Sequence, residues 1–207
     1  MAKIMIVGAS GTIGRAVADL FGKENELIRV GNQRGDYTVD LSSKSSIEAL
    51  LDDVGTCDAV VCAAGYSRFA KLTEASDDDF AISINNKLMG QVNLTRVAQH
   101  YVTPKGSITI TTGLLARKPW PGTVPTALVN SALEGFVRAA ALDVAKSIRI
   151  NAVSPIFVTE TAKGMGLDPN GTMSAAETAK AYIAAIEGDM TGQILDVRDY
   201  GSVVDEA

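Results

Sequence analysis

The chain has 207 residues, 46% of them hydrophobic and 21% charged, with a formal net charge of −5. That length suits one well-buried α/β domain and is short for two, and the balance sits near the globular average, which excludes a disordered, collagen-like or disulfide-scaffold chain. Negative charge without a basic block also argues against nucleic acid and an anionic membrane as partners.

The opening MAKIMIVGASGTIG passes from a short apolar run straight into glycines, so neither a signal peptide nor a membrane span is expected there. Lys3 to Val7 is a strand buried on both faces, and Thr12 to Phe21 a helix with Ile13, Val17 and Leu20 on one side. ELIRV (Glu26 to Val30) and DYTVD (Asp36 to Asp40) read as further strands. SSKSSIEALLDD opens with serines suited to an N-cap and continues as a helix. CDAVVCAAG (Cys57 to Gly65) is a fourth strand, and its two cysteines, Cys57 and Cys62, are expected to be free, buried thiols. Asp77 to His100 holds a long helix, expected to start after the acidic cluster Asp77 to Asp79. GSITITTG (Gly106 to Gly113) is strand-like, Pro125 to Lys146 a long Ala-rich helix, and IRINAVSP the sixth strand. Ser174 to Glu187 is a helix and GQILDV (Gly192 to Val197) the last strand.

Strands and helices alternate throughout, which predicts an α/β fold: a doubly wound, Rossmann-type parallel sheet with helices on both faces, in one domain over residues 1–207. The two long loops, Leu114 to Val124 and Phe157 to Met173, are expected to border the ligand crevice. A cytoplasmic location fits these expectations.

GASGTIG places Gly8, Gly11 and Gly14 between the first strand and the first helix, with Ser10, Thr12 and Ile13 in the same turn. Glycine permits a tight turn and close backbone approach to a pyrophosphate, and the helix N-terminus adds N–H donors. The acidic surface is no obstacle, because backbone amides do most of that work. The second strand ends at VGNQRGD, where an adenosine ribose should lie. Asn32 and Arg34 stand there, and no carboxylate appears until Asp36. Arg34 can pair with a 2′-phosphate, which favours NADP over NAD; the alternative is a solvated loop charge.

With these residues in view the chain resembles the short-chain dehydrogenase/reductase family over nearly its whole length. GASGTIG is similar to the family's glycine motif, and Asp40-Leu41 to the acidic–apolar pair that contacts adenine. CAAG, with Ala63, Ala64 and Gly65, resembles the segment beside the cofactor. RINAVSP and TGQILDV are similar to the family's last two strands, and KLMGQVNL and NSALEGF to segments of a short, atypical branch. The resemblance implies a seven-stranded sheet, a homodimer or homotetramer built on the long helices, and a small carbonyl or alcohol as substrate.

The family's chemistry uses a Tyr-x-x-x-Lys helix, a serine and an asparagine. Here Thr126 falls at the tyrosine position, Asn130 at the lysine, Gly113 at the serine and Lys87 at the asparagine. A threonine is a far weaker acid than a phenol of pKa about 10. Tyr66 and Thr112 at the strand ends and Lys87 on the helix lining the crevice are the candidate replacements, with Tyr66 and Lys87 expected as a proton-transfer pair. The alternatives are a loop aromatic for Tyr66, and a solvated or phosphate-binding charge for Lys87. Trp120 either walls the substrate space or anchors its loop, His100 is expected to be structural, and no His or Cys cluster suggests a metal. Two functions stay open: a dinucleotide-dependent oxidoreductase with a rearranged proton donor, and a non-catalytic NADP-binding sensor or subunit.

Overall fold

The computed structural model describes residues 1–145 and 147–204. Seven parallel strands form one sheet in the order β3-β2-β1-β4-β5-β6-β7. They are β1 Lys3–Val7, β2 Glu26–Gly31, β3 Tyr37–Thr38, β4 Cys57–Cys62, β5 Val102–Thr111, β6 Arg149–Ser154 and β7 Ile194–Asp196. Between and after them run α1 Thr12–Phe21, α2 Lys44–Val54, α3 Asp77–Ser83, α4 Met89–Ala98, α5 Val124–Asp143, α6 Thr159–Gly164 and α7 Ala175–Glu187.

The apolar runs of the central strands make the two-sided burial necessary. In β1, Ile4 and Ile6 enter one core and Met5 and Val7 the other; in β4, Ala59 and Val61 oppose Val60 and Cys62. A strand whose side chains alternate faces, and which is apolar at nearly every position, can only sit under helices on both sides. Val17, Ala18 and Phe21 of α1 join Ala181, Tyr182 and Ala185 of α7 in one layer. Ile47 and Leu51 of α2, Leu94 of α4, and Leu133 and Val137 of α5 fill the other. The strand order reverses between β1 and β4, so the crevice of a doubly wound sheet lies at their carboxyl ends.

Most expected elements are present, with changes in extent. The third strand shrinks to Tyr37–Thr38, and the fifth begins at Val102, before Gly106, with a register irregularity between Cys57 and Ala59 of its neighbour. The helix begins at the acidic cluster and not after it: Ser76 and Asp79 form a reciprocal capping box, and Asp77 to Asp79 are its first turn. That helix is not uniform, because α3 passes through a π-helical segment, Ile84–Leu88, before α4. α5 ends at Asp143, and Lys146, expected within it, lies outside the described residues. The loop from Phe157 to Met173 contains α6, which its sequence did not announce. Cys57 and Cys62 are free and buried.

Candidate active site

The first half of the cleft is built by glycine. Gly8 follows β1 with φ +91°, and a Cβ there would sit 2.9 Å from the Ala63 backbone and from the Ala64 Cβ. A Cβ on Gly14 would sit 2.1 Å from the Gly8 carbonyl oxygen, so α1 can start this close to the strand only with glycine at both places. Gly11 caps α1 without a side-chain acceptor, and among the described residues the amides of Thr12, Ile13 and Gly14 have no protein partner. Such a helix end suits an anion. In front of it lies a cavity of about 380 Å³, lined by Gly8, Ser10 and Gly11, by Asn32, Asp40 and Leu41 from the far side, and by Ala63, Ala64 and Gly65 from the end of β4. Thr12 is exposed beside it and Ile13 faces the adjoining cavity. Arg34 is exposed on the loop after Asn32, and among the described residues its guanidinium has no ion pair.

Ala63, Ala64 and Gly65 are shared with a second cavity of about 290 Å³. Thr112 and Gly113 from the end of β5, Thr126 and Asn130 from α5, and Lys87 from the π-helical segment all line it. Four positions that the sequence resemblance ties to chemistry thus meet in one space. Apolar walls complete it: Phe69, Leu115, Trp120, Ile156, Phe157 and Val158. Trp120 packs edge-on to Phe157 at 6.2 Å, so it walls the cavity while remaining half-exposed.

The polar groups differ in what they have left to offer. The Thr126 hydroxyl donates its one proton to the Arg68 carbonyl at 2.8 Å and lies 2.9 Å from the Ser67 hydroxyl. It pins the loop after β4 to the start of α5. The Thr112 hydroxyl and Asn130 Oδ1 are buried and have no protein partner among the described residues. The Asn130 amide fills the space next to Gly113, where an added Cβ would come within 2.9 Å of Nδ2.

Lys87 donates to the Thr112 carbonyl at 3.3 Å and has no ion pair among the described residues. Burial penalises its charge and pulls its pKa down to about 8, with the neighbouring Cys62 a small opposing influence. Burial also pushes the Cys62 thiol up to about 11, so that neighbour stays neutral. The shift of backbone hydrogen bonding in Ile84–Leu88 is what turns Lys87 toward the cavity while Asn86 faces the other half, donating to Ser42 Oγ. Gln91, fully buried one turn on, clamps the end of β5 through both amide atoms, to Thr111 N at 2.9 Å and Thr111 O at 3.0 Å.

Tyr66 and Lys87, expected from the sequence as a pair, line different cavities. Tyr66 lines the first cavity and is half-exposed. Its hydroxyl accepts from Arg68 Nη1 at 2.8 Å, with that guanidinium 5.2 Å above the ring. Among the described residues no hydrogen bond joins Tyr66 to Lys87. Gly65, at φ +136°, turns the chain away before Tyr66, an effect no spacing rule supplies. His100 is exposed just before β5, at the opposite end of the strands from the cleft. Among the described residues no cluster of three metal-ligating groups occurs, and no helix is long and apolar enough to cross a membrane.

Sequence reasoning missed Gln91 and the chain from Tyr182 through the Thr111 hydroxyl to the Cys62 carbonyl, at 2.6 and 2.7 Å. It also missed Arg117, which ties the loop after β5 to Ser154 at 2.8 Å and to Asp196 at 3.3 Å. None of these contacts has a motif; Gln91, Thr111 and Tyr182 are buried, and Arg117 is exposed but anchored by its partners.

A family model described as Enoyl-(Acyl carrier protein) reductase matches residues 14–191. The chain belongs to the short-chain dehydrogenase/reductase family of oxidoreductases. It is 25% identical to the 3-oxoacyl-(acyl-carrier-protein) reductase FabG of Thermotoga maritima, over 97% of this chain and 97% of that one. It is 30% identical to the short-chain dehydrogenase/reductase ATR9 of Stachybotrys chlorohalonatus, over 73% and 72%. Among solved structures, the protein lin1944 from Listeria innocua superposes with a TM-score of 0.91 at 35% identity, covering 95% of this chain and all of that one. A small-chain dehydrogenase solved in complex with NADPH superposes with a TM-score of 0.85 at 27% identity, covering 99% and 96%.

Proposed function

We propose that the whole chain is one dinucleotide-binding domain that holds NADP, with NAD less favoured, and reduces or oxidises a small carbonyl or alcohol without the family's usual Tyr-x-x-x-Lys and serine. One observation carries this reading. The glycine cradle at Gly8 and the open amides of α1 run, through Ala63 to Gly65, into a cavity where Thr112, Asn130 and Lys87 keep unspent hydrogen-bonding capacity.

The residues present fit the cofactor. A Cβ would fill the cradle at Gly8, and the first-turn amides of α1 are free for a diphosphate. Asp40 and Leu41 would border the adenine, and Arg34 would meet a 2′-phosphate. When bound, the cofactor supplies the hydride. The protein's task is then to hold the substrate oxygen and move one proton. Thr126 is unsuited to that, since its proton is committed to the Arg68 carbonyl. Lys87 is suited: its ammonium faces the cavity, and a pKa of about 8 lies near operating pH, where general acid–base help is most effective. The Thr112 hydroxyl and the Asn130 amide would orient the oxygen. Tyr66 stands outside this set and would border the nucleotide.

The second reading, a non-catalytic NADP-binding sensor or subunit, draws on the lack of any phenol among the described residues lining the cavity. Both readings assume a small-molecule ligand, no nucleic acid or membrane partner, a cytoplasmic setting and a homodimer or homotetramer. To separate them, NADPH and NADH are titrated by fluorescence quenching, and carbonyl compounds are then screened for loss of NADPH absorbance. Turnover supports the enzyme; tight binding without turnover supports the sensor; no binding of either nucleotide removes both.

A further inference from the structure

We infer that the second cavity selects an anionic substrate: an α-oxo acid, or its α-hydroxy counterpart, with an apolar side chain, whose carboxylate and neighbouring oxygen both meet the Lys87 ammonium. This deepens the oxidoreductase reading and rests on it. Among the described residues lining the cavity, Lys87 carries the only charge, and no carboxylate balances it. A partly buried cation without a counter-ion is still costly, and such groups are usually paired. An ammonium has three donors; one reaches the Thr112 carbonyl at 3.3 Å, and the other two have no protein acceptor among the described residues. A ligand that brings its own negative charge would complete the site.

The rest of the cavity says what else that ligand carries. Phe69, Leu115, Trp120, Phe157 and Val158 give it an apolar wall, which suits an aliphatic or aromatic tail and not a sugar or a second charge. With a single cation available, the carboxylate and the reacting oxygen share it most closely when they are on adjacent carbons. Of the other polar lining groups, the Thr112 hydroxyl and Asn130 Nδ2 are donors that can meet the remaining lone pairs, whereas Asn130 Oδ1 can only accept. In the reducing direction the carbonyl carbon gains the cofactor's hydride, the C=O π pair becomes an oxygen lone pair, and that oxygen takes a proton from Lys87. Solvent restores the proton to the amine.

Trp120 is the chain's one tryptophan and a wall of the cavity, so its emission reports occupancy. The protein is titrated at pH 7, with saturating NADP⁺, with α-ketoisocaproate and separately with its neutral amide; NADP⁺ binding is measured on its own by calorimetry. The acid should bind at least about ten-fold more tightly than the amide, the usual scale for a hydrogen bond to a charged group. Lys87→Met should reduce that ratio to about one while amide binding persists. Equal affinities in the wild-type protein overturn the inference, as does a preference that survives in Lys87→Met; the wild-type ratio decides even if the variant misfolds. Nucleotide binding without acid preference sinks the substrate class and leaves the oxidoreductase reading standing. Acid preference without nucleotide binding does the reverse for the oxidoreductase reading, and leaves Lys87 as the carboxylate's partner.

Discussion

Lys87→Met should make the fold more stable. The amine's pKa falls from its usual 10.5 to about 8 because burial penalises the ammonium. A shift of that size is worth roughly 3 kcal/mol if the group is wholly dry. The side chain keeps partial access to water, which reduces the penalty to about 1–2 kcal/mol. Methionine has nearly the same length and no charge, so it removes that penalty and forfeits only one long hydrogen bond to the Thr112 carbonyl. The pH dependence follows from the order of the two pKa values. Below about 8 folded and unfolded chains both carry the proton, and the penalty is present in full. Between about 8 and 10.5 the unfolded chain binds more protons, so wild-type stability rises with pH across that window. Melts followed by calorimetry at pH 7 should place Lys87→Met about 2–8 °C above the wild type, and the gap should narrow by pH 10. A variant that melts lower at pH 7, or a gap that ignores pH, would refute the claim that Lys87 is an uncompensated buried cation.

Three further substitutions probe other parts of the cleft. Gly8→Ala forces a side chain into φ +91° and against Ala63, so it should cost about 1–3 kcal/mol in urea unfolding and abolish NADPH binding measured by fluorescence. Arg34→Ala should weaken NADPH more than NADH in the same titration; equal effects would show that Arg34 does not touch a 2′-phosphate. Gly113→Ser pushes a Cβ to 2.9 Å from the Asn130 amide and should cost about 1 kcal/mol, the low end for overpacking because a side chain can give way. Adding Asn130→Ala to it should recover most of that loss in the same unfolding assay.

The fold was legible because its physics is local and repetitive. Five-residue runs such as Lys3–Val7, apolar at nearly every position, have no stable place except under helices on both faces. Gly8 and Gly14 were legible for a similar reason, since only a turn without side chains lets a helix start so close to a strand. The chemical half was harder to read. Tyr66 looked well placed because it follows the end of β4, but Gly65 redirects the chain and the hydroxyl ends on Arg68. Lys87 was identified by its position, whereas its solitude in the cavity depends on the π-helical segment, which shifts backbone bonding without a mark in the sequence. Thr126 looked like a weakened catalytic group, yet its proton is committed to a loop carbonyl 58 residues away in the chain. Helix α6 is short and held by Glu160, whose carboxylate accepts from the amide of Ala175 at 2.9 Å, a long-range contact that no local pattern encodes.

The most direct test of the central claim is a single-turnover reaction. The protein is mixed with stoichiometric NADPH and excess α-ketoisocaproate while the reduced nicotinamide absorbance is followed, for the wild type and for Lys87→Met. A slow, saturable loss of absorbance in the wild type that falls by roughly 10²-fold or more in the variant is the expected result. NADPH that stays bound and unoxidised in the wild type, or a variant that turns over just as fast, would contradict the assignment of proton transfer to Lys87.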